Sequence, residues 1–584
     1  MALYLILAVA LCVVQVLRVI SRLVRNVRTA RLSGLPYTLS PIHELQGLAY
    51  ITDPLLRWCY RDYLLLGQGW PRWARFMVKD WHYEDRNRAH KEFGPVFLVV
   101  SPCGLVCYVG HTETALQVVT RRKAFIKPPE KMKMLEPFGP NVVSVDGNEW
   151  RFHLGITLPP LAADGVHRTV WEETQRQVDM MAAAWRSSSG PSSVKTNIYT
   201  LTVNTMSLAG FGKATDWADA DKAVPPGHTL SVVGAIWGVV MHLPHILPLP
   251  KWTLARSPWQ VAYRAYVEFD QYMDELLAAE REKLKLQTNT TEMTKDNLLT
   301  AVLRSSMANQ EASRDVTDEK EKDRAPGSGP MVRTSLTDDE LKGNVFIFLL
   351  AGYDTTANTI LFCVTMLALY PDIQKRICEE IDRIHTEAEQ AGRSDLSFAD
   401  DFPKFRYLVA FMYEVMRVFP IVLPIARVTA GEEDLRVGSS SHHLPAGTGV
   451  VVNNTAIHYS ETNWPAPEVI EPRRWPVSDP HAVDPSRPLT AEQEDEIRRG
   501  RVPILACRKG RFLAFGEGPR ACLGRIFARV EFVAFFSRLL RHHRLRLDGS
   551  VSSVHVEKVL RLRSGGSPVT LIPPEDVRIC LDAR

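Results

Sequence analysis

The chain of 584 residues carries little net charge, and it has no CxxC pair and no internal repeat. Its 70 lysine and arginine residues nearly balance its 66 aspartate and glutamate residues, and the formal net charge is +4. This balance argues against a protein that binds nucleic acid through bulk positive charge. Apolar residues make up 45% and charged residues 23%, a globular composition that excludes wholesale disorder.

Cysteine occurs at nine scattered positions, an odd number. Because no CxxC pair is present, neither a zinc ribbon nor a thioredoxin-like site is expected, and the pattern fits a reducing compartment. Cys103 and Cys107 lie in an apolar, strand-like run, so we expect both to be buried as small hydrophobic side chains.

The N-terminus is apolar, and Arg18 is its first charged side chain. Residues 2–17 would span about 24 Å as a helix, and extension to Ile20 approaches roughly 30 Å of bilayer hydrocarbon if Arg18 snorkels. Basic residues follow the run, which by the positive-inside rule predicts a single-pass anchor over 1–20 with the remainder cytosolic. A cleaved signal peptide is the alternative, but its charge should precede the apolar run.

A second apolar run, 345–370, carries polar residues including Asp354 at its middle, so we interpret it as a helix buried in protein. Thr337 and Glu340 form a capping-box pattern at its start, and Pro371 should end it. Two polar inserts, 311–334 and 476–501, are predicted to be solvated.

The segment around Cys522 is rich in glycine and is followed directly by a helical pattern. A cysteine near the start of a helix lies at the positive end of the helix dipole, which stabilises a thiolate. Gly516, Gly518 and Gly524 let the backbone approach a flat ligand, and Arg520 can pair with a carboxylate. These features suit a thiolate ligand to haem iron, with Arg520 on a propionate. A glycine-rich turn with a buried cysteine is the alternative.

The same segment resembles the haem-binding signature FxxGxRxCxG of the cytochrome P450 family, with Phe515, Gly518, Arg520, Cys522 and Gly524 at its fixed positions. Further family landmarks precede this segment in the expected order. They are an early tryptophan at Trp150, AGx(D/E)TT at 351–356, and ExxR at Glu414 and Arg417. A PERF-like motif at 472–475 contains Arg474 and has Arg473 in the usual Glu position. The resemblance covers about residue 90 to the C-terminus, and the anchor.

The resemblance implies a mainly α fold with small β-sheets, in which 90–584 forms one large haem-enclosing catalytic domain. It would follow the transmembrane anchor 1–20 and a basic, membrane-proximal region, 21–89. The implied cofactor is haem b.

The resemblance also implies roles for single residues. Glu414, Arg417 and Arg474 would form a buried charge triad that serves folding and haem retention. Asp354 and Thr355 would be catalytic and deliver protons while dioxygen is cleaved. The alternative for these two is structural, with the threonine bonded back to its own helix.

The haem propionates would be held by Trp150, Arg427 and Arg520. One position departs from the family pattern, because Leu154 stands where an arginine often follows the tryptophan. Arg151 or His153 are the neighbouring candidates to replace it.

The resemblance implies that 127–146 and 229–252 line the substrate path through their apolar side chains, so a lipophilic small molecule is expected. No flavin or nicotinamide motif is evident, so electrons would come from a separate NADPH-cytochrome reductase, which a basic surface can meet (Arg508, Lys509, Arg511 and Arg525). The resemblance therefore implies an endoplasmic reticulum monooxygenase that uses O2, and the motifs are similar to those of fungal members, many of which serve secondary metabolism.

Two other functions are compatible with a haem-thiolate protein. A reductase-independent isomerase or dehydratase often lacks the acid–threonine pair, whereas Asp354 and Thr355 are present here. A non-catalytic haem-binding sensor has no need of that pair either.

Overall fold

In the computed structural model, the described residues are 2–187, 194–217, 224–246, 249–287, 297–307, 335–475, 490, 492, 509–562, 570–574 and 577–584. The predicted polar insert 311–334 lies outside them. So does the insert 476–501, apart from Thr490 and Glu492.

Helices make up most of the described chain, and the strands are short. The helices are α1 Ala2–Ser33, α2 Gly47–Leu65, α3 His82–Asp85, α4 Arg88–Phe93, α5 Thr112–Thr120, α6 Pro129–Lys133, α7 Gly147–Leu161, α8 Asp164–Ser187, α9 Val194–Phe211, α10 Val232–Met241, α11 Leu243–Ile246, α12 Lys251–Leu254, α13 Gln260–Gln287, α14 Leu298–Met307, α15 Asp338–Leu369, α16 Pro371–Gln390, α17 Phe398–Asp401, α18 Arg406–Val418, α19 Asn454–His458, α20 Arg525–His542 and α21 Ser553–Leu560. The strands are β1 Tyr37–Leu39, β2 Val96–Ser101, β3 Gly104–Val109, β4 Phe125–Ile126, β5 Ile425–Thr429, β6 Glu433–Val437, β7 Ser440–Leu444, β8 Gly449–Val452, β9 His543–Leu547 and β10 Ile579–Ala583.

The chain divides into two compact units, and the first consists of Met1–Pro128, Ala410–Cys522 and Gly549–Val577. It is built on a six-stranded mixed sheet with the strand order β1-β2-β3-β8-β5-β4. Strand β2 is apolar from Val96 to Val100, as expected for a strand with both faces covered. Leu98 and Val100 pack on one side with residues of α1, and Phe97 and Val99 pack on the other among aromatic rings.

Helix α1 changes its environment along its length. From Tyr4 to Ile20 its large apolar side chains are exposed, whereas Ala30 is fully buried against the sheet of the first unit. The stretch Tyr4–Ser33 is long and apolar enough to cross a membrane. Of the two cysteines expected to be buried, Cys107 is buried in β3. The expectation for Cys103 is wrong, because it lies exposed in the turn between β2 and β3.

The second unit consists of Pro129–Val409, Leu523–Asp548 and Arg578–Arg584. Helix α9 packs against α15 and α8, and α8 also packs against α20. Helix α15 begins with the predicted capping box: the Thr337 side chain accepts from the Glu340 amide at 3.3 Å, and the Thr337 amide donates to Glu340 Oε2 at 2.8 Å. It ends at Leu369 before the proline, and its apolar window is 78% buried, as the polar residues at its middle predicted.

Candidate active site

The loop that carries Cys522 is fixed by its own backbone. The Cys522 amide donates to the Phe515 carbonyl at 2.8 Å, closing a tight turn. Gly516 and Gly518 have positive φ values of 65° and 74°, which disfavour other residues. A Cβ on Gly518 would also lie 2.9 Å from the carbonyl oxygen of Val119 in α5. Both glycines are therefore required by the loop and its packing.

The thiol of Cys522 is exposed, although Phe512 and Leu513 earlier in the loop are buried. Gly524 is the N-cap of α20, and a Cβ there would meet no atom within 4 Å. An accessible thiol, followed closely by a glycine with open space at its Cα, fits the approach of a flat cofactor to the sulfur. The residues present thus suit a haem with a cysteine ligand.

The predicted charge triad of the first unit is formed. Arg417 donates to both oxygens of Glu414, each at 2.9 Å, and Arg474 Nε lies 3.3 Å from Glu414 Oε1. The indole of Trp475 and the amide of Glu471 also donate to this carboxylate, each at 2.9 Å. All three triad side chains are buried, so the network is satisfied at every oxygen.

Glu414 is held as an anion. Burial alone would raise its pKa, but the charges of Arg417 and Arg474 outweigh burial and lower the pKa to about 2. Arg473, which stands in the usual glutamate position, pairs instead with Glu471 and donates to its Oε1 at 2.8 Å.

His458 joins the triad to the cysteine loop within the first unit. Its Nδ1 lies 3.0 Å from the Arg417 carbonyl, and its Nε2 lies 3.0 Å from the Leu513 amide. Since the amide is a donor, Nε2 accepts and Nδ1 carries the proton. The ring stacks on Phe512, and burial together with the Arg417 charge lowers its pKa to about 3. A neutral histidine therefore bridges the two parts.

The two predicted propionate partners of the first unit lie on different elements. Arg427 is in β5, where its side chain is nearly buried and its Nη1 donates to the Ala426 carbonyl at 2.8 Å. Arg520 ends the turn Gly518–Arg520 and is partly buried.

Trp150 lies in α7 of the second unit and is buried. Leu154, one turn later, is partly buried. Arg151 is exposed and contacts Asn148 in its own helix at 3.4 Å, so its guanidinium is directed along the helix surface.

His153 is committed to the start of α15. Its Nε2 lies 3.2 Å from Glu340 Oε1, and its Nδ1 lies 3.0 Å from the amide nitrogen of Asn344. The Asn344 oxygen accepts from the Val142 amide at 2.9 Å, which assigns its nitrogen as the donor to His153. Nδ1 of His153 therefore accepts a hydrogen bond from Asn344, and Nε2 donates one to the Glu340 carboxylate.

One face of α15 is accessible in the middle of an otherwise buried helix. Ala351 is exposed, and Phe348 and Thr355 are partly covered, a spacing that puts all three on one face. The Thr355 hydroxyl donates to the Ala351 carbonyl at 2.6 Å, so it bonds back to its own helix as the alternative interpretation described. The hydroxyl oxygen can still accept a hydrogen bond.

Asp354 points away from this face and is only 8% exposed. Its Oδ1 accepts from the Tyr199 hydroxyl at 3.2 Å and from the amide nitrogen of Asn358 at 3.2 Å. Burial, together with the Asp354 charge, raises the pKa of Tyr199 far above its usual value. The acid that sequence reasoning assigned to proton delivery is thus held by a buried tyrosine.

A family model for cytochrome P450 matches residues 69–562 of the chain. The chain belongs to the cytochrome P450 family. A cytochrome P450 monooxygenase of Penicillium roqueforti is 34% identical over 577 residues, covering 96% of this chain and 95% of that protein. A cytochrome P450 monooxygenase of the phomenoic acid biosynthesis cluster of Leptosphaeria maculans is 25% identical, covering 75% of this chain and 74% of that protein. Among solved structures, a zebrafish cytochrome P450 with abiraterone has a TM-score of 0.60 at 20% identity, covering 86% of this chain and 99% of that chain.

The fold class predicted for this P450, mainly α with small β-sheets, is confirmed, and so is its class as a monooxygenase. Family membership implies a haem-thiolate cofactor, O2, a redox partner and a small-molecule substrate.

Two side chains of this P450 were missed by sequence reasoning: His458 and Tyr199. Each is separated by more than 40 residues from the groups that it contacts, so no local spacing marks it. Tyr199 lies in α9, where Thr202, Asn204 and Thr205 are also fully buried. The several polar residues within an otherwise apolar helical segment were the available signal.

Proposed function

We propose that this cytochrome P450 is anchored in the endoplasmic reticulum membrane and oxidises a lipophilic small molecule, most simply by hydroxylation. Electrons are taken from a separate NADPH-dependent reductase. The observation that carries the proposal is the exposed Cys522 thiol in a loop whose backbone and glycines are fixed around it.

Haem b is the proposed cofactor, with Cys522 as its thiolate ligand. When bound, a haem-thiolate activates dioxygen, so that one oxygen atom enters the substrate and the other leaves as water. Phe515, Gly518 and Gly524 shape the cofactor side of the loop. Trp150, Arg427 and Arg520 would hold the propionates by donating hydrogen bonds to them.

The Glu414, Arg417 and Arg474 triad fixes the cysteine loop and does not take part in the reaction. Its hydrogen bonds reach Leu513 through His458, so the loop is held in position before any substrate binds.

Asp354 and Thr355 supply protons. Thr355 lies on the accessible face of α15, where its hydroxyl oxygen can accept a proton while its hydrogen turns from the Ala351 carbonyl to a new acceptor. Asp354 is adjacent in sequence and is the titratable group of the pair.

The apolar helix α10 lies within 229–252 and carries no charge, so it suits the substrate side. The relative named for the phomenoic acid cluster supports a role in fungal secondary metabolism. We propose 1–20 as the anchor, 21–89 as the membrane-proximal region and 90–584 as the catalytic domain.

The test is the carbon monoxide difference spectrum of the reduced full-length protein in microsomes. The wild type is expected to show the Soret band typical of thiolate ligation, and Cys522→Ala is expected to lose it. Cys59→Ala, which removes another exposed cysteine, serves as the control and should keep the band. A wild type without the band, or a Cys522→Ala variant that keeps it, contradicts the proposal.

A further inference from the structure

A single hydroxyl in the second unit faces two acceptors. The Tyr199 hydroxyl oxygen lies 3.2 Å from Asp354 Oδ1 and 2.9 Å from Asn358 Oδ1. A phenol has one proton to donate, so it can satisfy only one of these oxygens at a time. The hydroxyl therefore has two hydrogen-bonded orientations separated by a small rotation.

Asn358 is locked in the orientation that makes it an acceptor for Tyr199. Its amide nitrogen donates to the Asp354 carbonyl at 2.9 Å and to Asp354 Oδ1 at 3.2 Å. If the amide were flipped, its oxygen would face these two acceptor oxygens and its nitrogen would face the phenol. The amide oxygen must point to Tyr199, which fixes the phenol as a donor.

The cluster is closed to bulk water. Asn358 is fully buried, and the exposed fractions of Tyr199 and Asp354 are 6% and 8%. The Tyr199 ring is held by neighbouring aromatic rings, with centroids 5.8 Å away at Trp237 and 6.1 Å away at Tyr353. The ring is thus fixed by packing, and the hydroxyl proton is its only easily moved part.

The two orientations match the two charge states of the carboxyl group. When Asp354 is ionised, the phenol proton is best directed at Oδ1, because a hydrogen bond to a charged acceptor is stronger. When Asp354 holds a proton, the phenol can turn to the Asn358 oxygen. A neutral donor that can turn in this way stabilises the anion but still allows the carboxyl group to take up a proton. A cation in its place would hold the group in its charged form.

We propose that Tyr199 is a positioning residue for Asp354, which holds the carboxyl group in place and adjusts to its protonation state. This inference rests on the proposed role of Asp354 in proton delivery. It assigns a function in the reaction to a side chain of α9, outside the recognised motifs of this P450.

The first experiment measures NADPH consumption and hydrogen peroxide release by the reductase-supported enzyme, without added substrate, in H2O and in D2O. Tyr199→Phe keeps the ring and removes the hydroxyl. We expect the rate to fall about tenfold, the effect of losing one hydrogen bond of ordinary strength, and the solvent isotope effect to rise. Tyr353→Phe removes a neighbouring buried phenol hydroxyl and should leave both values unchanged.

A double-mutant cycle separates positioning from packing. If Tyr199 acts through the carboxyl group, Tyr199→Phe combined with Asp354→Asn should be no slower than Asp354→Asn alone. Additive losses would mean that the tyrosine acts independently of Asp354, and they would overturn the proposal.

Infrared difference spectroscopy gives a readout that does not depend on turnover. The carboxyl band that disappears in Asp354→Asn is assigned to Asp354, and it should shift in Tyr199→Phe but not in Tyr353→Phe. An unshifted band contradicts the inference while leaving the proposed function intact. Loss of the thiolate Soret band in the wild type would contradict the proposed function itself.

Discussion

Two buried carboxylates, one in each unit, have different surroundings. Glu414 in the first unit is enclosed by Arg417 and Arg474. Asp354 in the second unit accepts from the neutral donors Tyr199 and Asn358. The cations lower the pKa of Glu414 to about 2, so it stays ionised at neutral pH.

The difference shows how a buried acid is matched to its use. A carboxylate that only has to hold a loop gains from full charge compensation, because a change of charge there would be costly. A carboxylate that passes protons must exist in two charge states of similar free energy, and neutral donors allow that. A third case is Glu531 in α20, which is buried with neither carboxyl oxygen hydrogen-bonded within the described part of the chain.

Breaking the first network should have the largest effect. Glu414→Gln removes the negative charge between Arg417 and Arg474. The two buried guanidinium groups then lose the charge that compensates them. We expect a loss of about 3–5 kcal/mol in the free energy of unfolding, and poor haem retention. Urea unfolding and the haem content of the purified protein are the measurements.

The matched control is Glu461→Gln. Glu461 pairs with Lys91 at 2.9 Å in the same unit, but its side chain is 69% exposed. An exposed pair contributes about 0–1 kcal/mol, so this variant should be close to the wild type. Equal losses in the two glutamate variants would show that burial of the triad is unimportant.

The second prediction concerns the link between that network and the cysteine loop. His458→Leu leaves the Leu513 amide and the Arg417 carbonyl without this partner, and we expect a loss of about 1–3 kcal/mol and a broadened thiolate Soret band. Thermal unfolding and the carbon monoxide spectrum measure the two effects.

The pH dependence of stability tests whether His458 is neutral in the folded protein. Folded His458 has a pKa of about 3, whereas an unfolded histidine takes up a proton near pH 6.5. Its contribution is therefore complete above about pH 6.5 and is lost as the pH falls toward 3. His458→Leu should flatten the fall in Tm between pH 7 and pH 5, and an unchanged slope would contradict this assignment.

How far the sequence predicts these sites depends on the distance along the chain. The ends of α15 follow from the capping pattern at Thr337 and from the proline after Tyr370, both of which act within one helical turn. The glycine loop before Cys522 was also predicted from a local pattern of residues, and its turn is closed by the hydrogen bond from the Cys522 amide to the Phe515 carbonyl, seven residues earlier.

Tertiary contacts outside the family motifs were not predicted, whereas the contact of Arg474 with Glu414 was expected from the resemblance. Tyr199 reaches Asp354 across 155 residues of sequence, and no periodicity in α9 relates the two. His153 was considered as a replacement for the missing arginine, but its ring is bonded to Glu340 and Asn344. The direction of a side chain depends on which helix packs beside it, and the residue types alone do not give that packing.

The third prediction extends the comparison to the carboxyl group without a described donor. Burial raises the pKa of Glu531 well above its usual value, so the folded protein keeps a proton that the unfolded chain releases above about pH 4.5. Stability is lost as the pH rises from there. Glu531→Leu should remove this loss and raise the free energy of unfolding at pH 7.5 by about 1–2 kcal/mol in urea titrations.

Glu173→Leu is the control in the same unit. Glu173 is also buried, but its Oε1 accepts from Arg176 and from Gln177, each at 2.7 Å. Replacement of this partnered acid should destabilise the protein. If both leucine variants lost stability, hydrogen-bond donors would not decide whether a buried acid stabilises or destabilises the protein.

The smallest effect is expected at His228. There a basic side chain lies between two acids, whereas at Glu414 an acid lies between two basic side chains. The His228 ring stacks on Tyr272, Nδ1 lies 2.8 Å from Glu268 Oε2, and Nε2 lies 3.1 Å from Glu275 Oε2. Burial alone would lower the pKa of His228, but hydrogen bonds to both acids outweigh burial and raise it. Because the folded pKa is raised, the stabilisation is complete below about pH 6.5 and is lost as the pH rises through the raised value.

The loss should be local, since Glu275 is 53% exposed and is well screened by solvent. The Thr229 amide, which donates to Glu268 Oε1 at 3.0 Å, reports on it. After correction for intrinsic rates, its hydrogen exchange should accelerate between pH 6 and pH 9 in the wild type but not in His228→Gln. His443→Gln alters a histidine that is 53% exposed beside Asp434 and should keep the wild-type dependence. If His228→Gln also kept the wild-type pH dependence of exchange, the charge of His228 would not hold Glu268 and Thr229 in place, unlike the cations around Glu414.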